Sequence, residues 1–167
     1  MKKICLLVGL IVLLAQPVLA NIPGGGTGTG SDVTLTDNGS TVTMANGIVS
    51  ILITKANANI TQINYTYNNG GGTQTQQLLA GGYSGGKLYW ENAGFGSGNF
   101  TYSVVASTGD YCEVDLFQNS ATNGTMDVHF SMQRGSPGFY VTPIWSHRAQ
   151  DGPMPDNEGR EIGRAHV

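Results

Sequence analysis

Short runs in which apolar and polar residues alternate dominate the chain from Asp32 onward. This period of two is typical of β-strands that bury one side and expose the other. No window sustains the 3.6-residue apolar period of a helix, so the pattern predicts essentially no helix after residue 20. The predicted strands are residues 33–36, 41–44, 48–54, 60–67, 88–90, 100–106, 111–117, 126–133 and 139–145.

Turn residues separate these runs. Asp37-Asn38-Gly39 and Ala45-Asn46-Gly47 each lie between two predicted strands, and Asn and Gly tolerate the positive φ of tight hairpins. Residues 68–72 are rich in Asn and Gly and predict an open turn. Many short strands joined by such turns predict an all-β fold, an antiparallel β-sandwich.

The two ends of the chain do not follow the strand pattern. Residues 1–20 carry an early lysine pair and an apolar run that is too short to span a bilayer, which predicts a cleaved signal peptide. Residues 21–31 predict a flexible Gly-rich leader. We interpret residues 156–167 as an artefactual tail, because the final IGRAHV matches one reading frame of a sequencing-library adapter.

The signal peptide predicts a secreted, extracellular protein, which the remaining composition refines. Its removal leaves six basic residues against eleven acidic ones, a net charge near −5. This charge argues against nucleic acid and against an anionic membrane as partners. The one remaining cysteine, Cys112, is either a buried thiol or lacks a partner in this sequence. Sequons predict possible glycosylation at Asn38, Asn59, Asn64, Asn99 and Asn123.

Candidate binding residues cluster in the segment MQRGSPGFYVTPIWSHR, residues 132–148. Arg148 follows a predicted strand, where a guanidinium could hold a carboxylate bidentately or simply be solvated. His147 is a second polar contact or is hydrogen-bonded to backbone. Trp145 and Trp90 suit sugar stacking, although core packing is the stronger alternative. Arg134 is expected first to fix its turn and second to bind.

Other charged residues make no evident site. Lys55 and Lys87 are the only lysines of the mature chain, and we interpret both as solvated. Carboxylates alternate along predicted strands without an evident metal constellation, and a Ca²⁺ loop would need denser oxygen ligands. We therefore expect no metal and no cofactor. The carboxylates concerned are Asp110, Glu113, Asp115 and Asp127.

Residues 32–155 resemble the N-terminal part of rhamnogalacturonan lyases of polysaccharide lyase family 4. The run RGSPGFY, residues 134–140, is the most specific match. The other matching segments are Asn46-Gly47-Ile48-Val49, residues 60–65, Leu78-Leu79, Tyr89-Trp90 and Ile144-Trp145-Ser146-His147. The resemblance implies a galactose-mutarotase-like super-sandwich, incomplete here at its C-terminus.

The resemblance also implies an activity, namely cleavage of rhamnogalacturonan I, a pectic polysaccharide, by β-elimination. A cation must neutralise the uronate carboxylate, a base must remove the C5 proton, and an acid serves the leaving oxygen. In the family the base resembles a lysine and the acid a histidine, both beyond this chain. No catalytic residue is therefore assigned here, and we expect a monomeric fragment that is inactive alone. Arg148 becomes the favoured substrate contact.

Two other functions stay open from the sequence. A non-catalytic, secreted β-sandwich carbohydrate-binding module would show the same strand pattern and the same aromatic residues. A secreted structural or adhesin-like β protein would fit the composition but explains the RGSPGFY run poorly. The continuation of the chain, with or without a suitably placed lysine and histidine, separates the enzyme from the binding module.

Overall fold

The protein is described here from a computed structural model, which defines residues 28–79, 100–121 and 123–152. Within these residues the chain forms two antiparallel sheets. The first sheet has the order β1-β2-β3-β4-β5 and the second β6-β7-β8-β9. The strands are β1 Thr34–Asp37, β2 Thr41–Ala45, β3 Val49–Thr54, β4 Asn59–Asn68, β5 Thr73–Gln77, β6 Thr101–Ser107, β7 Tyr111–Ser120, β8 Gly124–Gln133 and β9 Phe139–Ser146.

This architecture confirms the all-β, antiparallel prediction, and the described residues contain no helix. No helix in this part of the chain is long and apolar enough to cross a membrane. The predicted signal peptide, most of the leader, the strand at 88–90 and the tail at 156–167 lie outside the described residues. The sequence missed β5, whose segment TQTQQ has no apolar alternation. β5 forms because a turn at residues 69–72 returns the chain alongside β4.

Period-two alternation builds the core between the two sheets. The apolar positions of each central strand point inward, and removal of each large side chain from water contributes about 1.5–3 kcal/mol. The inward residues of the first sheet include Val42, Met44, Val49, Ile51 and Ile53. Those of the second sheet include Cys112, Val114, Leu116, Met126, Val128, Phe130 and Met132, and all of them form one cluster with the first set. Cys112 is fully buried, which supports its interpretation as a buried thiol.

A β-bulge interrupts the alternation in β4. The register between β3 and β4 shifts between Leu52 and Ile53, so that Thr61 is an extra residue in the ladder. Because of this extra residue, Ile60 and Ile63 both face the core although they are three positions apart.

A buried amide joins the two sheets at one end. The Nδ2 of Asn46 donates to the carbonyls of Gln133 and Ser136, each at 2.8 Å. The Oδ1 of Asn46 accepts hydrogen bonds from the backbone N–H groups of Ile48 and Val49. Asn46 is 1% exposed, so these bonds replace water for every hydrogen-bonding group of its amide. The β2–β3 turn is thereby fixed against the β8–β9 turn.

Gly124 opens β8 where the backbone of β9 approaches closely. Its φ is +83° less favourable for other residues in kind only, since its value of +89° lies in the left-handed region. A Cβ at this position would lie 2.1 Å from the carbonyl oxygen of Ser146. Gly39 has a similar φ of +82°, but a Cβ there would meet nothing within 4 Å. The two glycines therefore separate backbone strain from steric contact.

Replacement of Gly124 by alanine is expected to destabilise the chain more than replacement of Gly39. Both substitutions place a side chain at positive φ, at a cost of about 1–2 kcal/mol. Gly124→Ala must also displace Ser146 from the end of β9, which adds about 1–3 kcal/mol. Urea unfolding of the two variants measures the difference. Equal losses of unfolding free energy would contradict the close approach of β8 and β9.

Candidate functional site

Arg148 is held by the chain itself. Its Nε lies 3.0 Å and its Nη2 2.8 Å from the carboxylate oxygens of Asp151, a bidentate pair. Nη2 also donates to the carbonyl of Ser120, and the backbone N–H of Arg148 donates to Asp151. The hydrogen bond to Asp151 raises the pKa of Arg148, and the same bond lowers the pKa of Asp151. A substrate carboxylate would have to share Arg148 with Asp151 or displace it.

The two neighbours of Arg148 in the sequence prediction make contacts inside the fold. A ring nitrogen of His147, Nε2, lies 2.8 Å from the carbonyl oxygen of Gly152, as in the backbone-bonded alternative. Trp145 is half-buried and packs against the hydrophobic core, as in the core-packing alternative. The structure therefore does not gather Trp145, His147 and Arg148 into one open pocket. Trp90 lies outside the described residues.

Arg134 fixes a turn, in agreement with its expected structural role. Its Nε donates to the carbonyl of Gly109 at 3.0 Å and lies 2.9 Å from a carboxylate oxygen of Asp110. Its Nη2 forms an ion pair with Asp32. Arg134 thus connects the end of β8 to the β6–β7 turn and to the residue preceding the first sheet.

Lys55 differs from its prediction. The sequence suggested a solvated lysine, but the Nζ of Lys55 lies 2.6 Å from Asp37 and 4.0 Å from the ring centroid of Tyr102. Its side chain is only 16% exposed. The solvated interpretation is wrong for Lys55, because an anion and an aromatic face replace its water. Lys87 lies outside the described residues.

The predicted glycosylation sites differ in accessibility. Asn38 is exposed in the β1–β2 turn, and Asn64 and Asn123 are half-buried. Asn59 is only 8% exposed, so its amide is the least accessible of the four described sites. Asn99 lies outside the described residues.

The side of the second sheet that faces away from the core carries a group of ionisable residues that the sequence did not bring together. We call Glu113, Asp115, Asp127 and His129 the outer-face cluster. Asp115 lies directly opposite His129 in the β7–β8 ladder. Asp115, Asp127 and His129 each offer one possible metal ligand, and these ligand atoms lie within 4.8 Å of one another. All four side chains are half-buried, so solvent still reaches them.

A chain of hydrogen bonds orients the imidazole of His129. Its Nδ1 lies 2.7 Å from Glu113 Oε1, and the hydroxyl of Tyr111 donates to the other carboxylate oxygen of Glu113. Since the Glu113 carboxylate only accepts, Nδ1 carries a proton. The second nitrogen, Nε2, then faces Asp127 Oδ1 at 3.3 Å.

Electrostatics in the outer-face cluster favour bound positive charge. Desolvation and the neighbouring Asp127 raise the pKa of Asp115 to about 6. Burial alone would lower the pKa of His129, but the hydrogen bond to Glu113 and the charges of Asp127 and Asp115 raise it overall. Ser103 on β6 and Thr142 on β9 flank the row and carry no charge. The arrangement can hold a proton or bind a cation.

The sequence analysis found the three carboxylates but not His129. The available signal was two pairs of ligand-type residues at i and i+2, Glu113-x-Asp115 and Asp127-x-His129. Each pair lies on one face of its strand, but the register between strands decides whether the pairs meet. That register depends on the β7–β8 turn, which the alternation does not define.

The sequence matches no protein-family model and no curated protein, and the fold matches no solved structure. The interpretation of the outer-face cluster therefore rests on its geometry and chemistry. The resemblance to rhamnogalacturonan lyases stays a prediction from the sequence.

Asp115→Asn is expected to flatten the pH dependence of stability between about pH 4 and pH 6. The pKa of Asp115 in the folded chain is about 6, above its usual 3.8, so the folded state binds more protons in this range. The free energy of unfolding therefore falls as pH rises from about 4 to about 6, and the loss persists at higher pH. His129, with its raised pKa, adds a loss of the same sign at higher pH.

Urea unfolding at a series of pH values, in buffers that contain a chelator, measures this slope. The pKa values of Asp37 and Asp151 are lowered from 3.8, so these ion pairs contribute below the window. Asp110→Asn is the control, because Asp110 pairs with Arg134 outside the cluster. The Asp110 variant should keep the wild-type slope. An Asp115→Asn protein with the wild-type slope would show that Asp115 does not titrate in this range.

Proposed function

We propose that this chain is the N-terminal part of the catalytic β-sandwich of a secreted rhamnogalacturonan lyase. The parent enzyme would cleave the rhamnogalacturonan I backbone of pectin by β-elimination. In this reaction a base takes the C5 proton of the uronate, a double bond forms between C4 and C5, and the C4 oxygen leaves with a proton. The proton-transfer residues are expected beyond this chain.

The observation that carries the proposal is a contact between two of the resembling segments. Asn46 of the Asn46-Gly47-Ile48-Val49 segment donates to Ser136 of the RGSPGFY run, 90 positions further along the chain. The same side chain donates to Gln133, the residue before that run. Chance matches scattered along a sequence have no reason to share a buried hydrogen-bonded junction. Their convergence supports a common architecture behind the resemblance.

A carbohydrate-binding module remains the second candidate, and Lys55 favours it. Lys55 is the one lysine of the described residues, and both Asp37 and the Tyr102 ring hold its ammonium group. An ammonium group in an ion pair is poorly suited to remove a proton from a sugar. The described residues therefore fit substrate binding better than proton transfer.

The complete product of the gene that encodes this chain is expected to release unsaturated uronate from rhamnogalacturonan I but not from homogalacturonan. Absorbance of the C4–C5 double bond measures the product, and the chain by itself should give none. Absence of product from rhamnogalacturonan I would end the lyase proposal. Binding of that polysaccharide without any product would support the module instead.

Arg148→Ala in the complete enzyme is expected to raise KM for rhamnogalacturonan I by about tenfold or more, because a charge-assisted hydrogen bond to a uronate is lost. Asp151→Asn is the matched variant, since it frees the same guanidinium from its internal partner. The Asp151 variant should leave KM unchanged or lower it. If both variants reduce thermal stability and neither changes KM, Arg148 has only a structural role.

A further inference from the structure

The outer-face cluster has the arrangement of a metal site built on two neighbouring strands. Asp115 lies on β7, whereas Asp127 and His129 lie on β8, and their ligand atoms are within 4.8 Å of one another. His129 Nε2 and Asp127 Oδ1 are 3.3 Å apart, and two ligands of one tetrahedral zinc ion are about 3.4 Å apart. We propose that Asp115, Asp127 and His129 bind a divalent transition-metal ion, with Zn²⁺ the best fit.

The residues behind His129 support this assignment independently. Metal-ligating histidines almost always donate their other ring N–H to a carboxylate or carbonyl, which fixes the tautomer and makes the ligating nitrogen more basic. Glu113 accepts from Nδ1 of His129 at 2.7 Å, and Tyr111 in turn holds Glu113. This leaves the lone pair of Nε2 directed towards Asp127. A histidine with only a packing role has no need of this support.

Two carboxylate oxygens at the site also lack partners. Among the described residues, Asp115 Oδ1 and Asp127 Oδ1 are covered from solvent and accept no hydrogen bond. His129 Nε2 is near Asp127 Oδ1, but without hydrogen-bond geometry. Buried anionic oxygens are normally paired or bound to a metal. A cation between the two strands would satisfy both oxygens and the nitrogen together.

The ligand types select among metals. Ca²⁺ and Mg²⁺ prefer oxygen ligands, and Ca²⁺ takes six to eight of them. Imidazole nitrogen suits Zn²⁺ and other first-row transition metals, and zinc accepts carboxylates as well. Three protein ligands on a half-buried sheet face leave the fourth zinc position to water. The site does not depend on the proposed lyase function, because it lies on strands already described and needs no later residue.

Zinc titration of the chain, first stripped of metal by a chelator, tests the proposal. Isothermal titration calorimetry should show one saturable site, with Ca²⁺ and Mg²⁺ failing to compete at equal concentration. Asp127→Asn and His129→Gln should each weaken zinc binding at least tenfold. Glu113→Gln, which removes the support of the imidazole, should weaken binding by about 10–100-fold. The control is His147→Gln, which removes an exposed histidine elsewhere and should leave the affinity unchanged.

Cobalt substitution guards against misfolding of the variants and against binding at Cys112. The Co²⁺ form of the wild-type chain should show visible bands of a tetrahedral or five-coordinate nitrogen–oxygen site, without a thiolate charge-transfer band. Circular dichroism confirms that each variant remains folded. Zinc affinity unchanged in His129→Gln, loss of binding in His147→Gln, a thiolate band, or no saturable binding by the wild-type chain would each overturn the proposal.

Discussion

The pairing register of β7 and β8 is the constraint on which both the core and the outer-face cluster depend. The two strands pair from Tyr111 with Gln133 to Ser120 with Gly124 without a break. A shift of one residue would turn every apolar side chain of the shifted strand to solvent and every ionisable one to the core. Gly124 supports the register, because β9 approaches its backbone too closely for any side chain. One turn thus decides burial and chemistry together.

The polar links between the sheets explain why the most distinctive segment has a structural role. The RGSPGFY run forms the β8–β9 turn, where Asn46 crosses from the first sheet to bind backbone carbonyls. Arg134 of the same run binds Asp32, Asp110 and the carbonyl of Gly109. Because its polar groups are used within the protein, the run contributes to architecture more than to a binding surface. This makes it a good marker of a fold and a poor marker of a site.

The outer-face cluster differs from the segment 132–148 in where its residues lie. Its members come from the middle of two long strands, where neighbouring backbone hydrogen bonds limit motion, and a rigid scaffold is the arrangement that holds ligand geometry best. Arg148 and His147 instead follow the end of β9 and bind Asp151 and Gly152 in the same loop. The two regions thus have different uses: one orients ionisable groups towards solvent, and the other closes the end of a strand.

The sequence by itself determined the fold class, most strand positions and the turns, because alternation and Asn-Gly signals act over a few neighbouring residues. It did not reveal β5, whose polar residues form a strand only through pairing with β4, or the bulge at Thr61, which allows Ile60 and Ile63 to share a face. Tertiary structure decided the partners of Arg148, Arg134 and Lys55, since those partners depend on how turns fold back. It also decided that His129 joins Asp115 and Asp127, because only the register between strands brings separate pairs of residues within reach of one ion.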